Sequence, residues 1–349
     1  MIAEFDILAL LEKQKSFALF RLPHEADVRF CMQADGGFSK LKSVLDVPST
    51  PMFVFAPFFI SDESPLIAIK TDVEDKVSLT AADCFCNLSF ENAAKEDYAK
   101  AFEKFHNKLN DKVQRKLVLS RRRTAIINDG FSPLNLFCKA IEVYKDSFVY
   151  LFYTPLTGFW CGSTMEVLLS GADGRYSTMS VAGTQQKKGN GNVVWDEKNI
   201  SEQALVSDFI RDVLRKENCR FSESSPYTTQ AGDLLHLRTD FTFEIKENVL
   251  RLINSLYPTP AVCGIPQRDS QQFIVENEGY KREFYAGFLG TISPQNCNLF
   301  VNLRCVKIVG KEISFFAGGG ILPQSAMESE WNETEAKMET MKQLFRCAQ

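Results

Sequence analysis

The chain has no Cys-x-x-Cys pair, no apolar run long enough to span a bilayer, and no strong charge of either sign. Each absence removes a class of protein. Its ten cysteines are scattered, Cys84 and Cys86 being the closest two, so there is neither a zinc-ligand spacing nor a disulfide framework, and reduced thiols in the cytoplasm are the expectation. Residues Met1 to Leu8 carry neither the basic start nor the small-residue cleavage site of a secretory signal, and nothing calls for a membrane. A formal net charge of −4 gives no electrostatic case for a nucleic-acid partner. Internal repeats and low-complexity linkers are also missing; the one polar stretch with the composition of a surface loop runs from Gln185 to Asn192. What is present is core: 349 residues, 45% hydrophobic with 29 Phe, enough for one large domain or two ordinary ones rich in β-structure.

Taken in order, Phe5, Leu8 and Leu11 space as the inner stripe of a first helix, and Ser16 to Leu22 reads as a strand. His24 follows in a loop, then Phe53 to Phe59 and Leu66 to Lys70 read as further strands. Between Asn92 and Lys112, Tyr98, Phe102, Phe105 and Leu109 define a helix that leads into a strand from Lys116 to Arg121. Residues 132 to 145 suit a helix, and Phe148 to Tyr153 and the segment from Phe159 suit paired strands. The first third offers core and no obvious chemistry.

Two later segments break the usual rule that helix stripes facing inward are apolar. In the first, a strand Ile313 to Ala317 runs into Gly318-Gly319-Gly320, and Ser325 or Ser329 is placed to cap a helix reaching about Phe345. At 100° per residue, Glu330, Glu333 and Lys337 share the stripe of Met341 and Leu344. In the second, Ser201 to Lys216, Glu202 sits at the centre of the stripe made by Leu205, Val206, Phe209, Ile210 and Val213, with Ser201 or Asn199 as cap. One carboxylate in a first turn is explained by the helix dipole alone. Two helices with inward carboxylates beside a glycine run point to a cation and an anionic ligand meeting there, because an ion taken out of water needs a partner.

With those residues goes a longer series: Lys116 to Arg121, Gly162 to Glu166, Ala182-Gly183-Thr184, His236 to Thr239, Tyr257 to Gly264, Tyr285 to Gly287, Leu303-Arg304, Ala317 to Ile321 and Glu330 to Lys337. In order and spacing the series resembles the chorismate-utilising enzymes, the family of isochorismate, salicylate, anthranilate and aminodeoxychorismate synthases. The resemblance runs from about residue 110 to 345 and departs from the family at Gln203, where a histidine is usual, at Thr164-Met165, at Tyr257 and at Arg282-Glu283-Phe284. It implies an α+β fold of two facing, mostly antiparallel β-sheets with helices packed outside, of the anthranilate synthase component I type. The expected organisation is a single complex domain over 1–349, with 1–109 its strand-rich start and 110–349 the chorismate-binding core.

The same resemblance implies roles. Lys116 would be the base and Glu166 the acid; Glu202 and Glu333 would hold Mg2+, with Glu330 behind them or acting through water. Gly183, Thr184, Gly318, Gly319 and Gly320 would bring backbone N–H groups to a substrate carboxylate, Tyr285, Arg304 and Lys337 would grip the enolpyruvyl carboxylate, His236 would orient the leaving hydroxyl, and Thr259 would line the substrate loop. Other readings of the residues stay open at this level: a strand-edge lysine at 116, a simple turn at the glycines, a surface arginine at 304, an i,i+4 pair between Glu333 and Lys337. Lys116 speaks against an anthranilate-forming relative, where glutamine is usual. The loop Thr259-Pro260-Ala261 looks most like isochorismate synthases, isomerases that add water at C2 of chorismate. Salicylate synthase and a catalytically silent chorismate-binding subunit are the alternatives. A menaquinone pathway and a monomer complete the expectation.

Overall fold

The computed structural model describes residues 4–79, 86–91, 95–127, 130–186, 193–231, 234–245 and 249–346. Strand alternation decides where its phenylalanines go. Along Phe148–Thr154, Phe148, Tyr150 and Phe152 turn into one hydrophobic cluster while Val149 and Leu151 turn into another, as the two-residue period of a strand requires. The first cluster lies between two sheets. Ring centroids of Phe152 and Phe55 are 4.9 Å apart and those of Phe148 and Phe300 are 4.2 Å apart, each pair reaching from one sheet to the other. Such contacts add about 0.5–1.5 kcal/mol each beyond the area they bury.

One sheet runs in the order Gly264–Ile265, Lys116–Ile127, Glu312–Ile321, Cys305–Val309, Gly158–Thr164, Phe148–Thr154, Phe17–Arg21, Val28–Met32, Val73–Val77, with Leu88–Phe90 also paired to Lys116–Ile127. The other runs Arg220–Glu223, Leu234–Glu244, Arg175–Gln186, Val167–Ala172, Asn296–Val301, Phe288–Ile292, Met52–Ala56, Leu66–Lys70, Ser39–Leu41, with Tyr227–Ala231 on Leu234–Glu244. Every strand pairing among the described residues is antiparallel. The second hydrophobic cluster covers the outer face of the first sheet with Ile7, Leu134, Phe137, Met338 and Met341 from three helices, Glu4–Glu12, Pro133–Val143 and Met327–Lys342. Helix Glu197–Lys216 packs on Arg175–Gln186 and Leu234–Glu244 of the other sheet. No helix among the described residues is long and apolar enough to cross a membrane.

The chain crosses between the sheets at two neighbouring corners. Gly158–Thr164 belongs to the first sheet and Val167–Ala172 to the second; Asn296–Val301 belongs to the second and Cys305–Val309 to the first. The corners are tied together by Ser163 N–H donating to the Arg304 carbonyl at 3.0 Å and Val301 N–H donating to the Glu166 carbonyl at 2.9 Å. Arg304 turns its corner with φ +45°, a left-handed conformation uncommon for a residue with a side chain. Glu166 and Arg304 are therefore brought side by side by topology.

Several local expectations shift. The inner stripe of the first helix passes through Ile7, Leu10 and Leu11, and Leu8 is 46% exposed, since the helix lies on the sheet one residue out of phase with the expected stripe. Lys116–Ile127 continues well past Arg121 because it pairs along its length with Glu312–Ile321. That pairing also places Gly318, Gly319 and Gly320 inside a strand, where a turn was an open reading. Asp196, not Ser201 or Asn199, caps the helix from Glu197, accepting from Asn199 N–H at 2.8 Å. The last helix starts at Met327 without a side-chain cap; Ser325 Oγ accepts from Leu322 N–H at 3.1 Å and so serves the preceding turn. Residues 187–192 of the polar stretch lie outside the described residues.

One buried ion pair fastens the elements beneath the cleft. Glu278 and Arg282, both buried, meet at 2.6 Å; Glu278 also accepts from the Ser120 amide at 2.6 Å, and Arg282 donates to the carbonyls of Val262 at 2.7 Å and Val118 at 2.8 Å. Removing one member leaves the other charged and unpaired, so Glu278→Ala is expected to lower unfolding free energy by about 3–5 kcal/mol, read as a shift of the urea midpoint at unchanged slope.

Candidate active site

The two corners open onto a cleft of about 910 Å³ of non-atom space, part of it continuous with solvent. Its walls carry Glu166, Gly183, Thr184, Glu202, His236, Tyr285, Arg304, Gly318, Gly319, Gly320, Glu333 and Lys337, together with Val118, Leu303, Tyr144 and Thr340. Twelve of the fifteen residues singled out in the sequence thus face one space. The other three stand just behind it. Lys116 is fully buried with its Nζ 2.9 Å from Glu202 Oε1, Thr259 donates its hydroxyl to Glu166 Oε1 at 3.3 Å, and Glu330 is 1% exposed.

The glycine strand explains how so much charge fits. A Cβ on Gly320 would stand 2.2 Å from Glu202 Oε1 and 2.9 Å from Lys116 Cε; one on Gly319 would stand 3.0 Å from Glu330 Oε2. Without side chains at these positions, the Lys116–Glu202 pair and the carboxylates of the last helix settle directly against the strand. Lys337 donates to the Gly318 carbonyl at 2.8 Å and pairs with Glu333 at 2.6 Å, so the i,i+4 pair exists and is anchored to the strand as well. Gly183 has φ +72°, and its carbonyl accepts from His236 Nδ1 at 2.9 Å. Next to it, Thr184 N–H donates to Asn199 Oδ1 at 3.1 Å.

The electrostatics separate the acids. Burial pushes the Glu166 carboxyl up to about 7, against the opposing influence of the Thr259 hydroxyl, Lys116, Arg304 and Lys337. Burial, then the neighbouring Glu333, raises Glu330, whose Oε2 is buried without a hydrogen-bond partner. Burial acts upward on Glu333 too, but Lys337, followed by Lys198 and Arg304, holds it below the ordinary range. His236 is pushed down to about 3 by burial and then by Arg304 and Lys337, so its ring is neutral at pH 7. With Nδ1–H given to a carbonyl, its Nε2 is left as an acceptor. The Arg304 guanidinium makes no hydrogen bond or ion pair among the described residues, and burial lowers its pKa. A cleft with an unpaired guanidinium, an anchored ammonium and a protonatable carboxyl is built for a carboxylate ligand and for acid–base chemistry.

Sequence reading passed over Lys198, took Asn199 only as a helix cap and noted Gln203 only as a departure from the family. Lys198 pairs with Glu330 at 2.5 Å. A signal existed, since a cation in the first turn of a helix runs against the helix dipole. Gln203 Nε2 stands 3.0 Å from Ser180 Oγ and Ser207 Oγ and 2.8 Å from Thr239 Oγ1, its two hydrogens shared among the three hydroxyls.

Fold and cleft define an α+β enzyme that handles an anionic small molecule. A family profile described as "Chorismate binding enzyme" matches residues 65–346, and the chain belongs to that family. It is similar to the isochorismate synthase EntC of Escherichia coli K12, 33% identical over 210 residues, covering 56% of this chain and 54% of that protein. The chain spans about half the length of the curated relatives it matches. Among solved structures, it superposes on a putative 2,3-dihydroxybenzoate-specific isochorismate synthase, DhbC, from Bacillus anthracis with TM-score 0.81 and 20% identity, covering 97% of this chain and 98% of that one. Anthranilate synthase component I of Streptococcus pneumoniae gives TM-score 0.73 at 15% identity, covering 93% and 92%. These structural likenesses establish the shared fold.

Gly320→Ala forces Glu202 away from Lys116. Under the activity proposed below, it is expected to reduce turnover by roughly 10²-fold or more, the cost of misplacing a reacting group by about 1 Å, while the circular dichroism spectrum stays that of the parent.

Proposed function

We propose that the protein is an isochorismate synthase, converting chorismate to isochorismate by addition of water at C2 with departure of the C4 hydroxyl. The observation that carries this reading is a carboxyl raised to about 7 on the wall of a cleft whose glycine strand has a buried lysine packed against it. The reaction needs a base to activate water and an acid for the leaving oxygen. Lys116, packed beside Gly320 with Glu202 at 2.9 Å, is the residue assigned to take the water proton. Glu166, protonated up to about pH 7, gives its proton to the C4 oxygen. His236 Nε2 accepts the hydroxyl hydrogen and fixes that oxygen's position. Arg304, Lys337 and Tyr285 take the enolpyruvyl carboxylate.

The residues also suit Mg2+. Glu202 and Glu333 line the same cleft, and Glu330 stands behind them with a buried oxygen that has no partner. Among the described residues no three acidic, histidine or cysteine side chains are gathered closely enough to cage an ion by themselves. That agrees with a cation held by one or two carboxylates that completes its shell with water and substrate oxygens. When bound, the ion would neutralise the ring carboxylate and fix the ring. Of the pathways that use isochorismate, menaquinone synthesis is the reading kept from the sequence.

Incubation of purified protein with chorismate and Mg2+, followed by chromatography, is expected to yield isochorismate, with turnover lost in chelator. Salicylate with pyruvate would replace this reading by salicylate synthase, and no turnover would favour a silent binding subunit. Lys116→Ala and Glu166→Gln are each expected to lose about 10²–10⁴-fold in kcat. Because Glu166 must be protonated, and a raised carboxyl loses its proton as pH climbs through about 7, kcat should fall on the alkaline side with a limb near 7. A rate that stays flat from pH 6 to 9 would remove Glu166 from the role of acid.

A further inference from the structure

Each carboxylate of the acidic group has its own lysine: Glu202 has Lys116 at 2.9 Å, Glu333 has Lys337 at 2.6 Å and Glu330 has Lys198 at 2.5 Å. The three lysines are held very differently. Lys116 is sealed under the strand, and Lys337 has a second anchor in the Gly318 carbonyl. Lys198 has Glu330 as its only hydrogen-bond partner among the described residues, and 22% of its side chain is exposed. It also sits in the first turn of Glu197–Lys216, where the helix dipole repels a cation, so its place depends on the acidic group, first Glu330 and then Glu333 and Glu202. Glu330 in turn is 1% exposed, and its second oxygen has no partner although it stands at the open face of Gly319, near Glu333 Oε1. An ionised carboxylate this deep needs a counter-charge at all times.

We propose that Lys198 is a built-in counter-ion that holds Glu330 in the absence of ligand and is displaced toward solvent when a divalent cation enters, so that Lys198 sets the cation concentration at which the site loads. This rests on the Mg2+ reading given above. Lys198 is a positioning residue: by its contact with Glu330 it holds that side chain in place while the site is empty, and it opposes premature binding of a cation without substrate. Loss of its charge should therefore tighten cation binding in the absence of substrate and loosen the empty fold.

The test uses Mn2+ as the probe, followed by electron paramagnetic resonance on the full chain without chorismate, for the parent, Lys198→Met, Lys198→Gln and Lys198→Arg. Both neutral variants should bind Mn2+ about 10-fold or more tightly than the parent, because one positive charge has left a poorly screened site, and the arginine variant should match the parent. In chelator the neutral variants should melt below the parent, and the gap should close as Mn2+ is added. Parent-like or weaker Mn2+ affinity in both neutral variants, with a parent that binds Mn2+, would overturn the role of Lys198 and leave the metal reading intact. Absence of Mn2+ binding by every protein, with chorismate also present, would overturn both.

Discussion

Three consecutive residues without side chains make the rest of the site possible. At Gly320 a single methyl group would overlap Glu202 at 2.2 Å, and at Gly319 it would press on Glu330 at 3.0 Å. The strand carrying them is a full member of a ten-stranded sheet, paired residue by residue with Lys116–Ile127, so it cannot move aside. The acids and lysines therefore pack against backbone on a rigid surface. Each buried ion would cost several kcal/mol on its own, which is why every acid of this group meets a lysine and why Glu278 meets Arg282 below them. The glycines specify where charge can be stored, and the lysines make storing it tolerable.

Sheet topology does the complementary work on the other wall. Both corners at which the chain passes from sheet to sheet fall beside each other, and each delivers one ionisable group, Glu166 from one and Arg304 from the other. Corner residues escape the alternation that assigns strand side chains to a core, so they are free to face the cleft. Their environments then diverge. Glu166 has a hydroxyl and distant cations and is raised to about 7, whereas Glu333 has a lysine in contact and is lowered. Two carboxyls pushed in opposite directions within one cleft is the pattern that separates a proton donor from an ion-binding group.

How much of this could be read in the sequence follows from the kind of signal each residue leaves. Glu202, Glu330 and Glu333 were visible because they interrupt apolar stripes, and the structure buries Glu330 and Glu202 accordingly. Lys116, Glu166, Arg304 and His236 leave no local mark; a lysine on a strand or an arginine at a corner looks like a solvated residue, and only the spacing of the whole series singled them out. The two-sheet architecture was likewise a matter of resemblance, since period-two alternation reports a buried face without saying which sheet it faces. Helix caps were misplaced because several Ser, Asn and Asp residues compete near each start, and the choice of Asp196 depends on chain direction outside the helix. Lys198 was missed for a related reason: its partner is 132 residues away, and no window along the chain contains both.

Of the departures from the family pattern, Thr164-Met165 lies in the cleft lining beside Glu166, and the others fall in its supports. Gln203 adjoins Glu202 on the same helix but lies off the cleft, where its amide meets three hydroxyls, those of Ser180, Ser207 and Thr239. An amide nitrogen has two hydrogens to give, where an imidazole nitrogen has one at most. The hydroxyl cluster can therefore accept from the amide at more than one point and fasten helix Glu197–Lys216 to the strands Arg175–Gln186 and Leu234–Glu244. Tyr257 sends its hydroxyl to the Pro57 carbonyl, and Glu283 pairs with Lys307 at 2.5 Å, so both of these act at a distance from the cleft wall too. Substitutions of this kind change how firmly the charged groups are held without changing which groups are presented, and that is the physical reason a chain can differ at such positions while keeping the same set of charges around its cleft.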